Sequence, residues 1–204
     1  MSEPPATRWE QADSAGYADR FARLIDDGVD VVGEARLADV LLRRGATVLD
    51  AGAGMGRIGG ELQRRGHTVV AAEKDPSLVA EARGRYPDLP VVESDLLALT
   101  PDLLRHQGLP DAFDLVVLVG NVIVLGAPDT EVRMLSALRD LLVPDGRILV
   151  GFHPVGGPPS AREYPFEEFA GHVVAAGLSV QHRFGTYELH PPADDYVVAV
   201  LTRA

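Results

Sequence analysis

Val48-Leu49-Asp50-Ala51-Gly52-Ala53-Gly54-Met55-Gly56-Arg57 is the stretch on which the reading of this chain turns. It opens as a short apolar strand and passes into three glycines spaced by single residues. Glycine at such a turn lets the backbone fold back sharply and come close to a ligand. Residues 57–65 then have helical character and stop at Gly66. Strand, glycine-rich turn and helix in that order open a βαβ unit.

The alternation continues toward the C-terminus. His67–Glu73 is a Val/Ala strand, and Pro76–Arg85 is a helix with Asp75 at its N-cap and Pro76 in its first turn. Val91–Glu93 is a third strand, 96–106 a loop with a short helix, and Phe113–Val119 a nearly all-apolar strand, as expected when both faces are covered. A helix over 130–142, a tight turn at Pro144-Asp145-Gly146, a strand over 147–152 and a helix over 166–176 follow. The last two strands, 178–184 and 196–202, have no helix between them. Parallel strands need crossovers and antiparallel ones do not. The expected fold is therefore a single α/β domain: a doubly wound, mostly parallel seven-stranded sheet with an antiparallel strand near the C-terminus.

On the N-terminal side, residues 16–45 carry helical periodicity interrupted at Gly28 and Gly33, which predicts at least two helices. Residues 1–15 are polar and proline-containing and are expected to be a mobile arm, with the domain proper over 16–204.

Composition removes several function classes. The 204 residues include no cysteine, so a disulfide framework, a thiolate metal site and a cysteine nucleophile are excluded. A net charge of −11 argues against a nucleic-acid substrate, which would need a basic face. The N-terminus lacks the basic-then-apolar pattern of a secretory signal, and the longest apolar runs are strand-length, so no membrane span and a cytoplasmic location are expected. Lys74 is the only lysine; arginine dominance with abundant Ala, Gly and Val matches a GC-rich bacterial genome.

The glycine spacing separates two ligand chemistries. A dinucleotide fingerprint reads Gly-x-Gly-x-x-Gly, and here that third position is Arg57, whose bulk stands where pyrophosphate and close helix packing are wanted. Glu73 ends the second strand, 17 residues after Gly56, and a carboxylate there can accept from both hydroxyls of a ribose. A dinucleotide protein would use the same acid, so Glu73 argues for a ribose and not for one nucleoside ligand over another.

Asp50 followed by Gly-x-Gly-x-Gly resembles the first motif of class I S-adenosylmethionine-dependent methyltransferases. The likeness extends over residues 40–152. It implies a Rossmann-like fold, S-adenosylmethionine as cofactor, and donor contacts at Asp50, Ala51, Gly52, Gly54, Gly56, Glu73 and Lys74. It further implies that Asp95 takes the adenine amino group and the Leu96 amide a ring nitrogen, with Gly120 and Asn121 beneath the methionine end. Position 53, often cysteine in the family, is alanine. By resemblance the chain methylates an O or N atom of a small-molecule acceptor. A non-catalytic binding module and a nicotinamide-dependent oxidoreductase stay open as alternatives.

No acceptor signature is visible: Asn121 is followed by Val122, not by the Pro-Pro-aromatic segment of amino-methylating nucleic-acid enzymes, and no His/Asp/Glu spacing marks a metal site. Tyr17 and His153 are the candidate acceptor-side residues. Tyr17 sits on the first helix, where packing is the competing reading, and His153 at the end of strand five, where an ordinary loop histidine is the competing reading. Tyr187 and His190 are further candidate bases.

Overall fold

Strand β1 (Thr47–Ala51) lies inside a seven-stranded sheet with β2 (Thr68–Glu73), β3 (Val91–Glu93), β4 (Phe113–Leu118), β5 (Leu142–Phe152), β6 (Leu178–Phe184) and β7 (Val197–Arg203). This computed structural model describes residues 5–11 and 14–204; the side chains of Ser14, Ala15, Tyr17 and Ala18 fall outside what it describes. The strand order is β3-β2-β1-β4-β5-β7-β6. β1 to β5 pair in parallel, and β7 runs antiparallel to both of its neighbours. The winding reverses between β1 and β4, and a doubly wound sheet opens its ligand crevice beyond the carboxyl ends of the strands at that point.

Eight helices are described: α1 (Ser14–Asp26), α2 (Gly33–Val40), α3 (Arg57–Arg64), α4 (Pro76–Arg85), α5 (Pro101–His106), α6 (Val122–Leu125), α7 (Glu131–Asp140) and α8 (Phe166–Ala175). α4 starts where its cap predicts: the Asp75 carboxylate accepts from Ser77 N at 2.9 Å, and Pro76 needs no donor partner there. Thr100 caps α5 in the same way, accepting from Leu103 N at 3.2 Å.

Alternate residues of the central strands feed two cores, one on each face. Leu49, Val70, Val116 and Ile148 meet Ile123, Leu135 and Phe169 from α6, α7 and α8. Val48, Val69, Leu115 and Leu149 meet Leu37 of α2 and Ile58 and Leu62 of α3. Each such side chain contributes roughly 1.5–3 kcal/mol by leaving water. The sheet is thus a rigid floor whose strand ends hold the loops.

Three features depart from the sequence reading. The Pro144-Asp145-Gly146 turn is a bulge inside β5: Phe113 pairs with Leu142 but Leu115 pairs with Arg147, so the intervening residues loop out. A Cβ on Gly146 would lie 2.8 Å from the Phe113 carbonyl oxygen, which holds the bulge tight against β4. The helix expected over 130–142 stops at Asp140 because Leu142 already pairs in β5. Finally, within the segment expected to be a mobile arm, Arg8–Gln11 form a 3-10 turn, and the Arg8 backbone N–H donates to the Gly126 carbonyl at 3.4 Å.

Candidate functional site

The loop after β1 has Gly52, Gly54 and Gly56 at φ of 77, 56 and 81°, a left-handed run that side chains adopt at a cost. Space is the second constraint. A Cβ on Gly52 would lie 2.6 Å from a Val122 methyl, so this turn and the start of α6 approach as closely as glycine permits. Between them opens a cleft with about 720 Å³ of empty space, its open mouth included. Gly52, Gly54, Glu73, Asp95, Gly120 and Val122 are among its walls.

Glu73, at the end of β2, is buried and lines this cleft. Its Oε2 accepts from Gly54 N at 2.8 Å; its Oε1 accepts from Lys74 N at 2.8 Å and Asp75 N at 2.9 Å. Burial raises its pKa, and the three amides oppose that rise. The carboxylate is thereby fixed in place with acceptor capacity left for hydroxyl groups in the cleft.

Asp50, at the end of β1, lies one layer below the wall. It is 2% exposed, and its Oδ2 accepts from Gly59 N at 2.8 Å, in the first turn of α3. Burial pushes its carboxyl up to about 7, against the Gly59 amide and the Arg57 charge. A helix N-terminus is an anion site. Here a carboxylate of the chain itself occupies it, which removes the cradle a pyrophosphate would need. Arg57 is likewise committed: its guanidinium pairs with Glu34 at 2.9 Å, donates to the Val31 carbonyl and lies over the Phe21 ring.

Of the residues singled out in the sequence, Gly52, Gly54, Glu73, Lys74, Asp95, Leu96 and Gly120 line the cleft together. Asp50, Ala51, Gly56, Asn121 and His153 do not. Ala51 is buried in the sheet, and a Cβ on Gly56 would meet Tyr86 at 3.1 Å, so that glycine serves helix packing. Tyr17 lies in α1, and its side chain is outside the described residues.

The sequence did not foretell the roof. Thr7 and Trp9 line the cleft. Trp9 Nε1 donates to Asp75 at 3.0 Å and Lys74 Nζ pairs with Glu10 at 2.6 Å, which fastens the 3-10 turn to the loop after β2. Arg8 donates to the Gly126 carbonyl at 3.0 Å, which fastens it to the loop after α6. Lys74 also pairs with Asp95 at 3.3 Å. Burial would lower the lysine pKa, but the bonds to Glu10 and Asp95 outweigh it and raise it.

Beyond Gly120 the materials change. Asn121 stands at φ 73° and its Oδ1 accepts from His153 N at 2.8 Å; the His153 ring Nδ1 lies 3.2 Å from the same oxygen. The His153 ring meets Tyr196 edge-on at 4.6 Å, and the Tyr196 and Tyr187 hydroxyls are 2.9 Å apart. Burial raises the Tyr187 phenol well above its ordinary pKa and pushes Tyr196 up to about 12, so neither is a base near neutrality, contrary to the sequence expectation for Tyr187. His190 contacts Thr186 in an exposed loop, away from this group. Among the described residues, no group of three or more His, Asp or Glu side chains could hold a metal, and no helix is long and apolar enough to cross a membrane.

With this geometry in hand, the likeness to known proteins is informative. Residues 48–146 match a family model described as a methyltransferase domain. A TehB-like SAM-dependent methyltransferase from Corynebacterium glutamicum is 34% identical, with 94% of this chain and 98% of that one covered and a TM-score of 0.82. The 1,6-didemethyltoxoflavin-N1-methyltransferase of Burkholderia thailandensis, solved with its acceptor and S-adenosylhomocysteine, shares the fold at 23% identity, a TM-score of 0.65 and coverage of 100% and 93%. A curated relative, ribosomal RNA small subunit methyltransferase A of Chlorobium chlorochromatii, is 31% identical over 75 residues. The match takes in 37% of this chain and 27% of that relative's length.

Proposed function

The chain belongs to the S-adenosylmethionine-dependent methyltransferases, and from that premise we propose that it moves the methyl group of S-adenosylmethionine to an O or N atom of a small-molecule acceptor. The single observation that carries the donor half of this reading is Glu73. It is a buried carboxylate locked by three backbone amides on the wall of a cleft at the sheet's switch point, and it is matched to the vicinal hydroxyls of a ribose.

The cleft fits an adenosyl group in further respects. Glycine at 52 and 54 keeps the wall bare beside Val122, and Leu78, Leu96 and Leu97 offer apolar surface for a purine. Asp95, Leu96 and Gly120 line the same cleft, which supports the roles given to Asp95 at the adenine amino group, the Leu96 amide at a ring nitrogen and Gly120 toward the methionine end. Bound there, the donor supplies a methyl group on a sulfonium, and no phosphate has to be accommodated. The residues around it hold and align: orientation of this kind is worth on the order of 7–11 kcal/mol of barrier in favourable cases. The roof of Thr7 and Trp9 keeps water from the nucleoside face.

Charge weighs against a nucleic-acid acceptor. The curated relative is named for ribosomal RNA, but a chain at −11 lacks the excess of basic residues that binding nucleic acid requires. The buried Asp50 at the α3 N-terminus weighs against a nicotinamide dinucleotide.

Calorimetric titration with S-adenosylmethionine and S-adenosylhomocysteine tests the donor site. Glu73→Gln removes the charge and keeps one oxygen for the Lys74 and Asp75 amides while turning an NH2 toward Gly54 N, and is expected to weaken both ligands at least about tenfold, as loss of a charge-assisted hydrogen bond does. Undiminished binding in a folded Glu73→Gln protein contradicts the assignment.

A further inference from the structure

Asn121 settles the protonation of a neighbouring ring. The His153 backbone N–H can only donate, so the Asn121 atom 2.8 Å from it is the carbonyl oxygen and not the amide nitrogen. That same oxygen lies 3.2 Å from His153 Nδ1, and an oxygen facing it requires Nδ1 to carry the proton. The neutral ring then has its lone pair on Nε2, for which the described residues provide no hydrogen-bond partner, and His153 is only partly buried. Holding this arrangement costs strain: Asn121 is a non-glycine residue in the left-handed region, where asparagine is among the few side chains that settle, and strain of this kind collects at working sites. The place is also specific. Asn121 follows Gly120 of the cleft wall, and His153 follows β5 directly beside it, with Asn121 N donating to the Gly151 carbonyl at 3.2 Å.

We propose that His153 Nε2 is the proton acceptor for a methyl acceptor that arrives protonated, bearing an O–H or an aromatic N–H, and that Asn121 is the residue that positions it. The inference rests on the methyl-donor reading given above. The acceptor's X–H bond breaks and its proton forms a bond to Nε2. The pair left on X forms the X–C bond while the C–S bond breaks with its pair kept by sulfur. One positive charge passes from sulfur to imidazole and leaves with the proton to water. The groups facing the ring favour this duty without competing for it. Tyr196 meets it edge-on and Tyr187 lies behind, both held as neutral phenols by burial. Glu34 and Arg57, which pair with each other, act on the two tyrosines from α2 and α3.

The test needs no knowledge of the acceptor. Long-range ¹H–¹⁵N spectra of the histidine rings, with His153 assigned by its loss in His153→Gln, report tautomer and titration together. The neutral ring is expected with its proton on Nδ1. Asn121→Gly, which keeps the left-handed backbone and removes the amide, is expected to lose that single tautomer while still binding S-adenosylhomocysteine. A unit positive charge brought within about 7 Å, at an effective dielectric constant of about 40, lowers a neighbour's pKa by about one unit. His153 is therefore expected to titrate lower when saturated with S-adenosylmethionine than with the uncharged S-adenosylhomocysteine. A histidine remote from the sulfonium would not distinguish the two. A proton on Nε2, or the same pKa with both ligands bound, overturns the inference and leaves the donor site standing. Failure of either ligand to bind overturns the donor reading and takes this inference with it.

Discussion

Along β1, β2 and β3 the cleft is made of backbone. Glycines shape the turn, and the carboxylates of Glu73 and Asp50 are held by main-chain N–H groups. At the ends of β4, β5 and β7, next to the cleft wall at Gly120, the meeting groups are side chains, with Asn121 holding His153 and Tyr196 and Tyr187 packed beside it. The first half is generic and stiff, suited to a ligand that does not vary. The second depends on which side chains meet, suited to setting an acceptor and a proton path. The two halves touch at Gly52 against Val122 and are bridged above by residues 7–10.

The largest expected effect concerns the inside of the backbone half. Asp50 is raised by burial from 3.8 to about 7. An acid raised on folding keeps its proton in the native chain after the unfolded chain has lost it, so its contribution to stability falls as pH rises from about 4 to about 7. Asp50→Asn cannot ionise. Thermal unfolding should show the variant gaining on wild type as pH rises, by roughly 3 kcal/mol between pH 5 and pH 8. A difference that does not change with pH would mean that Asp50 is not the buried acid described.

The contact between the halves comes next. Gly52→Ala adds a Cβ 2.6 Å from Val122 to a residue already at φ 77°, so either the turn or α6 must shift. With strain of about 1–2 kcal/mol before the clash, S-adenosylhomocysteine affinity should fall on the order of 100-fold in calorimetry while the circular dichroism of the sheet persists. Wild-type affinity would show that the halves are not so closely fitted.

The bridge should matter least. Its ion pair of Lys74 with Glu10 is partly exposed, and such pairs are worth little. Glu10→Gln should change S-adenosylhomocysteine affinity by no more than about threefold. Trp9 is the only tryptophan, so its emission reports the roof directly and should shift on ligand binding. An unchanged spectrum would place the segment off the ligand.

The same comparison explains what could be read from the sequence. Glycines at fixed spacing and an acid closing β2 are local signals, and they pointed to Gly52, Gly54 and Glu73, which line the cleft, and to the sheet's alternation. The motif acid Asp50 was legible but its duty was not, since only the fold shows Gly59 N above it. The roof was hidden because a polar, proline-containing segment has no periodicity, and Trp9 finds Asp75 across 66 residues of chain. α6 was hidden for the opposite reason: Val122-Ile123-Val124-Leu125 is apolar throughout, and four such residues do not distinguish a helical turn from a strand. His153 was visible as a candidate, but its bond to Asn121, 32 residues away, exists only once β4 and β5 are paired.

The most direct measurement is a paired calorimetric titration of the unmodified protein with S-adenosylhomocysteine and with NAD. One-site binding of the first and no heat from the second is the result expected of a ribose-gripping cleft whose α3 anion site is already filled by Asp50. Binding of NAD with no response to S-adenosylhomocysteine would contradict it.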